Sequence, residues 1–224
     1  KYFMLKKTSY QISTDVLKQA MAKLPSDDFR YTINKPTGRF FYDPWEVKEE
    51  FKNTPWDQIL QSLPVQFGEA RIIILEPGKC YQAHADLDDR YHLNIISDEA
   101  YLIDLENSEL HRLETDGVWY DMDAGRRHTA MNIGRCTRVQ LVVRQLLKDS
   151  VLTNGVPITI SFENIGTDHA RFIFDDSLSP VLNRFNKINV MNSFEYTATH
   201  VKLNLEAEFV PVLEAILPEN FKLL

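Results

Sequence analysis

Apolar positions recur along the chain in three different rhythms. Residues 14 to 24, TDVLKQAMAKL, place Val16, Leu17, Ala20, Met21 and Leu24 on one face of a helix that opens at Thr14 and Asp15 and ends before Pro25. The aromatic-rich stretch that follows is broken by Pro36, Gly38, Pro44 and Pro55, which predicts short strands and loops. A short helix is expected over Trp56 to Leu63, before Pro64.

From residue 70 the rhythm shortens to two. ARIIILE, YHLNIIS, AYLIDLE, GVWYDMD, HTAMNIG and RVQLVVRQ are short β-branched or alternating runs, separated by turn residues such as Pro77-Gly78, Asp116-Gly117 and Ala124-Gly125. Strands this closely spaced, with no helices between them, predict a mainly β fold with flanking helices, built on a double-stranded β-helix of the jelly-roll or cupin type. After Lys148 the pattern changes again. VPITISFEN and ARFIFDD read as a hairpin, LSPVLNRF as a short helix, HVKLNLEAEF as a strand and VPVLEAIL as a closing helix. The expected organisation is a β-helix domain over residues 1–148, with its N-terminal flank, and a small α+β appendix over 149–224.

Composition excludes several functions. The 224 residues are 44% hydrophobic and 25% charged, enough for a sizeable core, and the net charge of −7 contains no block of like charges. Nucleic acid and anionic membranes are therefore not expected partners. No apolar run approaches the roughly 18 residues of a membrane span, and the first residues lack the apolar region of a secretory signal, so a cytoplasmic location is expected. Cys80 and Cys136 fit no metal or redox spacing and are expected as free thiols. Oligomeric state is not legible.

The chemistry concentrates in YQAHADLDDRYHLNI, residues 81 to 95. His84 and Asp86 are two apart, so on a strand they would share a face about 7 Å apart. His128, 42 residues beyond Asp86, is the candidate third ligand. Two imidazoles and one carboxylate make the facial triad of non-haem Fe(II) oxygenases, which leaves open positions on the metal. Arg138 follows His128 by ten residues, where a guanidinium entering the barrel would grip a carboxylate bidentately. Arg126 and Arg127 precede His128 in a loop and are candidates for a substrate carboxylate or simply solvated turn charges. Asp88 and Asp89 read as turn caps. Trp119 reads as core or as pocket wall, and Asp123 as a residue orienting the loop that bears His128. His111, His169 and His200 have no carboxylate partner at ligand spacing.

As a set, H-x-D at 84–86, RYHL at Arg90 to Leu93, Trp119 with Asp123, H-x3-N at His128 and Asn132, and Arg138 resemble the aspartyl/asparaginyl β-hydroxylase family of Fe(II)/2-oxoglutarate oxygenases, near the bacterial proline cis-4-hydroxylases. The resemblance covers about residues 69 to 145. It implies Fe(II) held by His84, Asp86 and His128, with 2-oxoglutarate chelating the iron and its far carboxylate taken by Arg138. Arg90 and His92 are implied near the same cosubstrate. It further implies conversion of 2-oxoglutarate and O₂ to succinate and CO₂, coupled to hydroxylation of an amino acid, free or in a peptide. Animal members of the family lack a carboxylate in the first motif, whereas Asp86 is present here. A non-catalytic ligand-binding jelly roll and another metal-dependent cupin enzyme are the alternatives.

Overall fold

Strand β5 (Ala70–Leu75) shows why the chain folds as it does: Ala70 and Ile72 turn to one side of a sheet, Arg71, Ile73 and Leu75 to the other. The computed structural model describes residues 3–25, 30–162 and 166–224, and it divides into two units. The first comprises Lys1–Ala83 with Asp89–Leu146, and the second His84–Asp88 with Leu147–Leu224.

In the first unit, β1 (Leu5–Gln11) and α1 (Thr14–Met21) precede three short strands, β2 (Arg30–Thr32), β3 (Asn34–Pro36) and β4 (Trp45–Val47). Helix α2 (Pro55–Gln61) leads into β5, and the body continues through β6 (Arg90–Ile96), β7 (Ala100–Asp104), β8 (Glu109–Arg112), β9 (Val118–Met122), β10 (His128–Asn132) and β11 (Arg138–Arg144). A six-stranded sheet runs β1-β9-β6-β11-β5-β2, and a three-stranded sheet runs β10-β7-β8. An isolated antiparallel bridge, Cys80 to Met131, extends the smaller sheet beside β10. Following the chain from β5, successive segments fall in the large sheet, the small one, large, small, small, large, small, large. That alternation is the double-stranded β-helix, and it bears out the expected jelly-roll core.

The large sheet has two unlike faces. Its outer face buries Ile72, Leu93, Ile95, Trp119, Val139, Leu141 and Val143 against Leu17 and Ala20 of α1 and Trp56, Ile59 and Leu60 of α2. Ser13 rather than Thr14 caps α1, its hydroxyl accepting from the Asp15 amide at 3.2 Å. The inner face carries an apolar cluster at one end, where Leu75, Tyr120 and Met122 meet Leu102 and Ala130 of the smaller sheet.

The second unit holds β12 (Gly155–Ser161), α3 (Thr167–Ile173), a π-helical turn over Phe174–Leu178, α4 (Ser179–Lys187), β13 (Met191–Tyr196), β14 (His200–Glu206), α5 (Val210–Ile216) and β15 (Lys222–Leu223). Its sheet runs β13-β14-β12-β15. The expected hairpin is corrected: β12 pairs with β14 and β15, and residues 170–176 are helical. Ala170, Phe174 and Leu178 are buried at a spacing of four, so helical periodicity outweighs the apparent alternation of ARFIFDD. Part of the expected first strand of that hairpin, residues 163–164, lies outside the described residues. Among the described residues no helix is long and apolar enough to cross a membrane.

Candidate active site

The inner face of the large sheet carries the candidate chemistry. Because Val139, Leu141 and Val143 face the helices, Arg138, Gln140 and Val142 face inward. Register fixes their neighbours: Val142 stands opposite His92, Gln140 opposite Asn94, and Arg138 opposite Leu75. Arg90 and His92 therefore share a face with Arg138. A bulge in β6 between Asn94 and Ile96 absorbs one residue and leaves this arrangement intact. Arg71, Arg90, His92, Asn94, Arg138 and Gln140 are all buried, a concentration of polar groups that would be costly in a plain core.

Arg138 is 2% exposed. Its Nη2 donates to the Tyr81 hydroxyl at 3.4 Å, its guanidinium lies 5.6 Å from the centre of the Tyr81 ring, and its Nε has no hydrogen-bond partner among the described residues. Burial pulls the guanidinium below its ordinary pKa, and Tyr81 offsets part of that pull. Burial likewise pushes Tyr81 up, opposed by the charges of Arg138, Arg30 and Arg71. A fork of N–H donors held in this way suits a carboxylate.

His92 is neutral. Burial, helped by the charges of Arg138, His128 and Arg90, lowers its pKa to about 3 against the opposing effect of a hydrogen bond with Gln140. His128 opens β10, opposite Asp104 of β7. Its Nδ1 lies 2.7 Å from the Arg126 carbonyl, which can only accept, so Nδ1 carries the proton and Nε2 keeps a lone pair. That tie to a backbone carbonyl is how metal-binding imidazoles are oriented.

His84 and Asp86 do not lie on a regular strand as expected; β6 begins only at Arg90, and residues 81–89 run irregularly apart from a single bridge residue at His84. His84 Nε2 and Asp86 Oδ2 are nevertheless 3.9 Å apart. Their segment is fixed by distant partners: the Ala85 amide donates to the Asp175 carbonyl at 3.2 Å, and Asn183 Nδ2 donates to the Leu87 carbonyl at 3.0 Å. Asp175 belongs to the π-helical turn, a local widening often found at functional sites. Asp89 caps a turn, accepting the Ala124 amide at 3.2 Å.

The remaining candidates fall elsewhere. Trp119 sits wholly inside the helix-covered core, its Nε1 donating to Ser62 Oγ at 2.8 Å, so it turns away from the inner face. Arg126 pairs with buried Asp104, at 3.1 Å through Nε and 2.9 Å through Nη2, and approaches Glu106 at 3.7 Å. Arg127 is exposed and its amide donates to Glu106. His111, expected to lack a carboxylate, lies 3.7 Å from Glu109 and forms a group with it and Asp104. The spacing E-x-H on β8 was the available signal. Asp104 is already satisfied there by Arg126 and by the amides of Glu106 and Asn107.

No protein-family model matches the chain, and no curated protein matches it. Among solved structures it is similar to a Pseudomonas putida prolyl-4-hydroxylase, with 15% identity, a TM-score of 0.39, and coverage of 64% of this chain and 92% of that one. A viral collagen prolyl hydroxylase from Paramecium bursaria Chlorella virus-1 matches with 12% identity and a TM-score of 0.41, over 64% of this chain and 91% of that one. A structure of CapF with an inhibitor matches with 16% identity and a TM-score of 0.31, over 57% of this chain and 35% of that one. The fold described above rests on the chain's own strand order.

Proposed function

We propose that the chain is an Fe(II)/2-oxoglutarate-dependent oxygenase that hydroxylates an amino acid, free or in a peptide. The observation that carries this reading is Arg138: a buried guanidinium on the inner face of a double-stranded β-helix, with a phenol as its hydrogen-bond partner and an Nε left without one. A buried cation in that state is under-compensated, and a carboxylate would relieve it. The far carboxylate of 2-oxoglutarate would do so.

For the iron, His84, Asp86 and His128 would supply two imidazoles and a carboxylate, the donor types that a non-haem Fe(II) site uses. His128 fits the role because its proton is held on Nδ1 by the Arg126 carbonyl. When bound, iron with 2-oxoglutarate and O₂ supplies the oxidising chemistry, the cosubstrate leaving as succinate and CO₂. The chain's own part is to bind and orient. Arg138 and Tyr81 would grip the cosubstrate at the end away from the metal. His92, kept neutral by burial, adds no positive charge to a basic recess. The motif set over residues 69–145 supports an amino acid as the hydroxylated group.

The test needs no substrate. Fe(II) and 2-oxoglutarate added without oxygen should give a visible metal-to-ligand charge-transfer band, weakened in both Asp86→Ala and Arg138→Met. Absence of the band in folded parent protein would leave the jelly roll as a binding module.

A further inference from the structure

Arg71 has no part in the reading above. It lies on β5 opposite Val142 of β11, with its neighbours Ala70 and Ile72 turned to the helices, so its side chain enters the inner face. That side chain is 8% exposed, and among the described residues its Nε has no hydrogen-bond partner and its one ion pair is with Glu69 at 3.7 Å. Glu69 is committed elsewhere: Oε2 accepts from Arg144 Nε at 3.0 Å, and Oε1 accepts from the Thr32 hydroxyl at 3.0 Å. Burial, together with the charges of Arg90, Arg144 and Arg30, brings the Arg71 pKa down to about 9 against the opposing charge of Glu69. Arg71 and Arg138 lie on adjacent strands with their side chains on the same inner face, Arg71 opposite Val142 and Arg138 opposite Leu75. If 2-oxoglutarate takes Arg138, the recess still holds a buried, under-compensated cation. Desolvation and like-charge repulsion both oppose that state.

We propose that Arg71 binds a carboxylate of the substrate, which makes the substrate a carboxylate-bearing small molecule rather than an internal, uncharged residue of a polypeptide. A guanidinium edge offers a carboxylate two parallel N–H donors, which a neutral amide cannot match. This rests on the oxygenase reading, in which Arg138 is occupied by the cosubstrate.

The experiment follows arginine Nε–H resonances in protein labelled with ¹⁵N-arginine, loaded with Zn(II) in place of iron and saturated with 2-oxoglutarate. The Arg71 signal is assigned with Arg71→Lys. Acetate is titrated as the probe, with acetamide as the neutral control of the same size. Acetate should move the Arg71 signal saturably and acetamide should not. Arg71→Met should lose roughly tenfold or more in acetate affinity while keeping its 2-oxoglutarate affinity. Arg138→Met should lose 2-oxoglutarate and keep the acetate response. If 2-oxoglutarate alone moves Arg71 and blocks acetate, Arg71 is the cosubstrate clamp, and both this proposal and the role of Arg138 fall. If acetate leaves Arg71 unmoved in folded, 2-oxoglutarate-bound protein, Arg71 is a packing residue and only this proposal falls.

Discussion

The Arg138 guanidinium and the Tyr81 hydroxyl meet at 3.4 Å inside the barrel. A phenol compensates a buried cation poorly. Arg138→Met should therefore stabilise the ligand-free protein, by about 1 kcal/mol or more, since an under-compensated buried charge gives way to an apolar side chain of similar length. The same variant should lose the stabilisation that 2-oxoglutarate gives the parent, about 2.7 kcal/mol at a hundredfold excess over its dissociation constant. Urea melts with and without 2-oxoglutarate measure both. A less stable variant that still responds to 2-oxoglutarate would make Arg138 a structural residue.

His92 sets a pH dependence whose sign is fixed by its environment. Its pKa is lowered in the fold to about 3 from an ordinary 6.5. Between those values the unfolded chain binds a proton that the folded chain refuses. The stability contributed by neutral His92 is therefore complete above about pH 6.5 and is lost as pH falls toward 3, with a slope approaching about 1.4 kcal/mol per pH unit. Urea melts of metal-free protein from pH 7.5 to 4.5 should show this decline. His92→Gln should flatten it, and an unchanged slope in that variant would assign the decline to other groups.

Asn183 holds the Leu87 carbonyl at 3.0 Å and is 2% exposed. Replacing it with Ala leaves that carbonyl without this donor, at a cost of about 1–3 kcal/mol. Because the bond anchors the segment bearing His84 and Asp86, Fe(II) affinity should fall with it. Calorimetric Zn(II) titration checks the second effect independently of stability. Unchanged metal affinity would show that the segment holds its shape without Asn183.

Arg126 and Asp104 form a buried pair, with side-chain exposures of 14% and 0%. Arg126→Ala should cost about 3–5 kcal/mol, because it leaves a buried carboxylate without its counter-ion. Adding Asp104→Asn should recover much of that loss. If Arg126→Ala is nearly neutral in a thermal melt, the two amides at Asp104 suffice to hold its charge.

Alternation made much of the first unit legible. Strands β5, β6, β7, β9 and β11 each bury a largely apolar face, and that face is visible in a sequence without partners. Strand β1 was missed because LKKTSYQ lies at a sheet edge and is mostly exposed, so nothing apolar marks it. The short strand ELHR of β8 hid for the same reason, and with it the pairing of His111 and Glu109. The H-x-D motif was recognisable by residue type, but not its conformation. What holds it, Asp175 and Asn183, lies about ninety residues away along the chain, and no local pattern reports such a contact. In ARIIILE, Arg71 reads as one polar residue among apolar ones, since register alone shows that it shares a face with Arg138.

The two unlike faces of the large sheet make β11 intolerant of a change in length. Odd-numbered residues of this strand pack the helices and even-numbered ones line the recess, so inserting or deleting one residue would exchange the two sets. Arg138 and Gln140 would be pressed against Trp56 and Leu60 while valines filled the polar interior. Substitutions can vary either face separately, but the strand's length is locked by both at once, and divergence in this protein should accumulate in the turns on either side of β11 before it reaches the strand itself.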